Sequence, residues 1–308
     1  MATLTKCPYT LKPLSELPET SREHIILDAL GGPNGYSVTA CRTTNSRLGE
    51  TVDGAFLSEP LIQALRSKVG VKTRSGVAAW TMTGELVDGN RPVEVTIPHQ
   101  GPVDVFHQKP IEKDESGNSF RIIAPPAQAD KLLEELKANL ARKGKEIAKI
   151  EIVQAPSQTI HARLTLSQTI GTAGLMKIAY LACCECLGDS FLDDPLNPEW
   201  QKAIRAQTAK DADKVKLRAF CLNAATDAAK GFLPNCAEHE HIIAIANTGQ
   251  RGVWVAVRLF GCELLTVVAQ ASKTSSHGLP SGRGELLLCD ARGGGIRRKQ
   301  VIVGGTEK

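Results

Sequence analysis

The stretch "HIIAIANTGQRGVWVAVRLFGCELLTVVAQ", residues 241–270, constrains this chain more than any other. Its apolar runs are rich in β-branched residues, and Gly252 and Gly261 fall near the places where turns belong. Short apolar runs bounded by turn residues read as strands, so the C-terminal part is expected to be a β meander. Elsewhere the pattern is mixed. Residues 76–125 read as short β segments, with Asp88-Gly89-Asn90 as a hairpin turn. A charged amphipathic helix over 128–144 stops at a glycine, and "AKIEIVQA" reads as the strand after it. The segment 167–187 is apolar and helical, carrying Leu175, Ile178, Ala179 and Leu181; further helices are expected near Pro198 and Trp200 and over 209–230. The fold class expected is α+β.

A chain of 308 residues with 42% hydrophobic content can fill a core without disulfides or metals. No run approaches the roughly 20 apolar residues of a membrane helix, and the start, "MATLTKCPYT", lacks the apolar core of a secretory signal. The expectation is a cytoplasmic protein with no membrane partner. Nine cysteines is an odd count, and Cys183, Cys184 and Cys186 crowd one helical segment, so all are read as reduced thiols. The formal charge of +4 identifies no partner by itself. Basic residues gather at Arg66, Lys68, Lys72 and Arg74 and again at Arg292, Arg297, Arg298 and Lys299, as phosphate contacts or as solubilising surface. The "RGGGIRR" tail reads equally as a basic arm or a disordered end. "CAEHEH" presents Cys236, His239 and His241 in the style of metal ligands, yet no fourth ligand stands at a helpful spacing. His161 and His277 have no partner visible in the sequence.

Residues 7–58 behave differently. Pro8, Pro13 and Pro18 exclude a long helix, and Gly31, Gly32 and Gly35 mark a tight loop. "TTNSRLGETVDGAFLS" then reads as a helix, with Thr43 or Thr44 as N-cap and Leu48, Val52, Ala55 and Phe56 roughly on one face. A second helix opens at Pro60 and closes at Gly70. Within "SREHIILDALGG", residues 21–32, Glu23 offers a hard metal ligand beside His24, and imidazole is a group that titrates near neutral pH.

The order Cys7, Glu23-His24, Gly31-Gly32, Cys41, Asn45 closely resembles the HNH endonuclease family, whose nuclease unit is a β-hairpin and a helix around one divalent metal. The resemblance covers residues 7–58, and "NSRLGETVDGAF" is similar to the branch whose asparagine helix carries a Gly and then an Asp. It implies that His24 is the general base, that Glu23 and Asn45 hold one Mg²⁺ or Mn²⁺, and that Asp53, eight residues after Asn45, can approach the same site. The chemistry is coherent: imidazole takes a proton from water, and a carboxylate plus an amide carbonyl leave most of the metal's coordination sphere to water and phosphate. The implied products carry a 5′-phosphate and a 3′-hydroxyl.

The chain departs from the family in two places. Two Cys-x-x-Cys pairs that bind structural zinc in many members are halved here, with Thr10 and Thr44 where the second cysteines would stand, so no structural Zn²⁺ is expected. Tyr36 occupies the place of the central asparagine, and Asn34 is shifted from it. The expected organisation is a small ββα-metal (HNH-like) module over 1–65 and a larger mixed α/β domain over 66–308 for substrate selection, partner contacts or oligomerisation. The expected function is endonucleolytic hydrolysis of DNA in bacterial restriction or anti-phage defence. DNA contacts are expected from Arg42, Arg47, Arg66, Lys68, Lys72 and Arg74, and a homodimer would cut both strands. The alternatives are a nucleic-acid-binding or ligand-sensing protein with a decayed module, and an enzyme whose site lies in the C-terminal half.

Overall fold

The computed structural model describes residues 4–302 except 74–75, 87–90, 109, 115–118, 125, 148, 151–159, 163–164, 166, 222–232, 274–276 and 294. Helices and antiparallel sheets make up an α+β fold, as expected. The chain forms two compact units, Met1–Ala78 with Leu166–Lys308, and Ala79–Thr165. The division expected at residue 65 thus falls inside the first unit, where residues before 78 and after 166 share one core.

The first unit is built on a six-stranded antiparallel sheet in the order Ala219–Cys221, Thr266–Ser272, Val253–Arg258, Glu240–Asn247, Arg283–Asp290, Ile296–Ile302. The central strands alternate faces. Ile243, Ile245, Val255, Val257, Val267 and Ala269 point into the main core, while Ile242, Ala244, Trp254, Ala256, Val268 and Leu286 form a second cluster. Burial on both faces explains why the meander reads as near-continuous apolar sequence.

Against the main-core face lies the helix Gln168–Leu187, N-capped by Ser167, whose Oγ accepts the Ile170 N–H at 3.3 Å. Contrary to the expectation that no run suffices, this helix is long and apolar enough to cross a membrane by length and composition, with 78% of its most apolar window buried inside the fold. It carries Lys177 and Glu185 among its buried residues.

The N-terminal segment lays a hairpin on this core. Strand β1 (Thr20–His24) pairs antiparallel with β2 (Ser37–Cys41), with Glu23 opposite Val38 and His24 opposite Ser37. Helix α1 (Arg42–Leu48) follows at once, runs into a wide i→i+5 turn over Gly49–Asp53 and resumes as Gly54–Leu57. The next helix, Pro60–Val69, ends at Gly70 with φ +74°, the left-handed cap that glycine supplies. Phe56 is fully buried, and a Cβ on Gly174 would meet its ring at 2.3 Å, so glycine in the core helix is what admits this contact.

The Gly31-Gly32 pair has a packing explanation. Gly31 has φ +84°, and a Cβ there would stand 1.9 Å from the Ala291 carbonyl oxygen; one on Gly32 would stand 1.9 Å from that of Ile26. Side chains from three other elements hold the loop's carbonyls. Arg66 Nε donates to Ala29 O at 2.7 Å, His241 Nε2 to Leu30 O at 2.8 Å, and Cys289 Sγ to Gly31 O at 3.9 Å. The Phe260 N–H donates to His241 Nδ1 at 3.1 Å, which places the imidazole proton on Nε2.

The second unit has its own four-stranded antiparallel sheet, in the order Ile160–His161, Trp80–Leu86, Arg91–Ile97, Asp104–His107. Leu86, Val93 and Val95 form its small core, and the amphipathic helix spans Pro126–Ala141. The turn Asp88-Gly89-Asn90 lies outside the described residues, as does most of the strand expected at "AKIEIVQA". The helix expected over 209–230 is corrected to one turn, Ala209–Ala212, followed by the strand Ala219–Cys221, with 222–230 outside the described residues. Pairing with Thr266–Ser272 overrides the helical propensity of that stretch. The "RGGGIRR" segment leads into a sheet strand, Ile296–Ile302.

Two outcomes follow for stability. Gly174→Ala should lower it by about 1–3 kcal/mol through overpacking against Phe56, read as a shift in urea midpoint at unchanged slope. Burial pushes the His241 pKa down from 6.5 to about 4, against the opposite pull of the Leu30 carbonyl. The unfolded imidazole therefore binds a proton that the native one refuses, and stability is lost as pH falls from 6.5 toward 4. At pH 5 the loss relative to pH 7 should be about 2 kcal/mol, and His241→Gln should remove that part of the pH dependence.

Candidate active site

Glu23 is an acid that the fold buries. Strand alternation turns it inward while Arg22 stays exposed. Its Oε1 accepts the Tyr9 hydroxyl at 2.8 Å and the Lys177 ammonium at 2.6 Å. The same ammonium reaches Asp53 Oδ2 at 2.5 Å. Lys177 comes from the middle of the core helix and its side chain is 2% exposed, so two carboxylates from the N-terminal segment enclose one internal cation. Burial raises the Asp53 pKa to about 6, with Lys177 pulling it down.

The wide turn at Gly49–Asp53 explains how Asp53 reaches this cluster. In a regular helix, eight residues overshoot two turns by about 80°, at about 100° per residue. A turn with one extra residue takes back about 100°, returning Asp53 close to the face of Asn45.

Asn45 sits on the first turn of α1, and its Nδ2 donates to Ser21 Oγ at 3.0 Å and to the Arg22 carbonyl at 3.2 Å. Ser21 and Glu23 project from the same side of β1, so the Asn45 amide lies on the Glu23 side of the strand. His24 points the other way, half-buried, and its Nδ1 has no hydrogen-bond partner. Glu23 and Asp53 are therefore joined through the Lys177 ammonium, Asn45 is tied to the same strand two residues back, and His24 faces the other side of β1.

Among the described residues no group of three or more His, Cys, Asp or Glu could hold a metal ion. Two oxygens are the donors this site could offer one. The Asn45 amino group is engaged by Ser21 and Arg22, which leaves its carbonyl oxygen, and Glu23 keeps Oε2 beside the occupied Oε1. A carboxylate and an amide carbonyl suit a hard ion such as Mg²⁺. Fully ionised, Glu23, Asp53 and Lys177 carry one net negative charge, which also favours a cation. Cys7 and Cys41 lie together, the Cys41 N–H donating to Cys7 Sγ at 3.2 Å. The Thr44 N–H at the start of α1 holds the Cys41 thiol below its usual pKa.

The expected basic residues are divided by the fold. Arg42 is exposed and pairs with Glu19 at 3.1 Å; Arg47 is exposed; Lys72 is exposed. Arg66 is committed to the Ala29 carbonyl and Lys68 to Glu238 at 2.8 Å. Arg74 lies outside the described residues. The tail arginines are matched with acids: Arg292 with Asp290, Arg297 with Glu240, and Arg298 with Glu185 and Glu285. His241 is spent on the Leu30 carbonyl and the Phe260 N–H, so "CAEHEH" forms no ligand set. His277, read as partnerless, meets Ser272 Oγ at 2.5 Å and Asp194 Oδ2 at 3.2 Å through the same Nε2. A nucleophile relay needs the serine and the acid on opposite ring nitrogens, so this cluster is not one.

No known family, no curated protein and no solved structure matches this chain.

Sequence reasoning missed Tyr9, Lys177 and Arg205. A lone lysine inside "GLMKIAYLACC" was the available signal, because a charge in an otherwise apolar stretch of buried helix requires a counter-charge. Arg205 donates to the Gln201 carbonyl, and burial first, then the like charge of Arg47, hold its pKa below the usual guanidinium value. It lines a cavity of about 550 Å³ with Gln201, Lys202, Asp211 and Lys214.

The Tyr9 hydroxyl and the Glu23 carboxylate are both buried, so Tyr9→Phe should cost about 1–3 kcal/mol of stability, read from the thermal midpoint.

Proposed function

We propose that residues 7–58 form an HNH-type nuclease site that hydrolyses phosphodiester bonds of DNA with one divalent metal. The observation that carries the reading is the antiparallel hairpin β1–β2 running directly into α1, with Glu23 and Asn45 on one side of β1 and His24 on the other. Glu23 and Asn45 would hold the ion through Oε2 and the amide oxygen. Bound there, Mg²⁺ or Mn²⁺ supplies Lewis-acid stabilisation of charge on the phosphate.

The chain's own residues do the rest. His24 takes the proton of the attacking water on a ring nitrogen. The bonds from Asn45 Nδ2 to Ser21 and Arg22 fix the amide so that its oxygen, not its amino group, faces the ion. Tyr9 and Lys177 hold the Glu23 carboxylate in one orientation. Arg47 and Arg205, like-charged neighbours, supply phosphate contacts along the strand. Bacterial restriction or anti-phage defence is the setting the HNH resemblance suggests, and a homodimer would allow a double-strand break.

Plasmid nicking tests this. With Mg²⁺ or Mn²⁺ the wild type should nick, and His24→Ala should lose about 10²–10⁴-fold in rate while keeping its affinity for DNA. Arg47→Ala and Arg205→Ala should each weaken DNA binding and reduce the salt slope by about 1. Cleavage indifferent to His24→Ala would overturn the assignment.

A ligand-sensing protein with a decayed module is the second reading. It is favoured by a cavity of about 700 Å³ lined by Tyr36, Val38, Glu185, Ile296 and Arg298. The Tyr36 hydroxyl and Glu185 Oε2 lack hydrogen-bond partners, and the Arg298 guanidinium stands 5.6 Å from the Tyr36 ring centre. DNA binding by the wild type without cleavage in any divalent metal would select it.

A further inference from the structure

Lys177 has no place in the family pattern that residues 7–58 resemble, yet it makes the two closest contacts in the site. Its ammonium is 2.6 Å from Glu23 Oε1 and 2.5 Å from Asp53 Oδ2, on a side chain 2% exposed. The Glu23 side chain is 7% exposed and that of Asp53 13%, so little water reaches the three groups and their mutual charges are weakly screened. The surrounding helix is apolar, with Ala173, Leu175, Met176, Ile178 and Ala179 all buried, so the carboxylates are the counter-charge this lysine requires.

We infer that Lys177 is the site's resident cation, and that a divalent ion entering at Glu23 competes with its ammonium for the same carboxylate. The inference rests on the nuclease reading and deepens it: metal affinity is set by a residue outside the ββα unit, delivered by the core helix. An ion on Oε2 of Glu23 meets a positive charge already bound to Oε1. Like charges on one carboxylate repel, and at short range in a buried site this repulsion weakens the second cation's binding strongly. Asp53 offsets part of it by sharing the ammonium. A divalent ion at Oε2 is therefore held more weakly than the same oxygens would hold it without the Lys177 ammonium on Oε1.

Calorimetric titration with Mn²⁺ alone, on the full chain without DNA, tests this. Lys177→Met should bind Mn²⁺ at least tenfold more tightly than the wild type, and Glu23→Gln should abolish binding. Removing the ammonium leaves the Glu23 and Asp53 carboxylates without their shared counter-charge, so Lys177→Met alone is at risk of failing to fold. The pair Asp53→Asn and Asp53→Asn with Lys177→Met carries the same comparison without that strain, and the double variant should again bind more tightly than its parent. Equal or weaker binding on loss of Lys177, with wild-type binding still lost in Glu23→Gln, overturns the competition while leaving the nuclease reading intact. Absence of Mn²⁺ binding in the wild type and in both Lys177 variants overturns the metal assignment itself. Binding by the variants but not by the wild type supports the inference in its strongest form.

Discussion

One buried ammonium between the buried Glu23 carboxylate and the largely covered Asp53 carboxylate organises the N-terminal half of the larger unit. Lys177 sits in the middle of a helix whose other side chains are almost all apolar, and Glu23 and Asp53 come from a hairpin and from a widened helical turn. None of the three is tolerable in the interior alone. An unpaired buried charge costs several kcal/mol, so hairpin, turn and core helix depend on one another's presence. The interaction specifies geometry at least as much as it stabilises, because only one register of β1 against the core helix brings the Glu23 carboxylate to Lys177.

The hairpin's other end is fixed by a different device. Three successive carbonyls, those of Ala29, Leu30 and Gly31, are met by Arg66, His241 and Cys289 from three elements. The two glycines permit the loop to approach the Ala291 and Ile26 carbonyls closely enough for these bonds to form. A strand held at both ends by buried polar contacts keeps the side chains of residues 23 and 24 in fixed directions.

Much of this was legible in residue order. The Gly-terminated helix from Pro60, the apolar helix ending at Leu187 and the meander each follow from periodicity and turn residues, and each is present. Clustering of Glu23 with Asp53 was also suggested by spacing, although the widened turn that makes it work was not. Other readings failed for want of tertiary information. The stretch 209–230 has helical composition, but strand pairing at Ala219–Cys221 prevailed. The basic clusters look alike in the sequence, yet Arg66 serves a loop carbonyl while Arg47 stays exposed beside Arg205, because solvent access is decided by neighbours far away in the chain.

The sequence by itself determined the local patterns of this protein: that a helix opens at Pro60 and stops at Gly70, that the C-terminal part is a meander, and that residues 23, 24 and 45 carry acid, imidazole and amide in that order. Those are short-range properties, set by backbone sterics and by side chains a few positions apart. Only the tertiary structure decided that a lysine 154 residues beyond Glu23 would supply its counter-charge. Electrostatic partnership depends on distance in space, and in a folded interior of low polarizability it binds groups that no spacing rule connects.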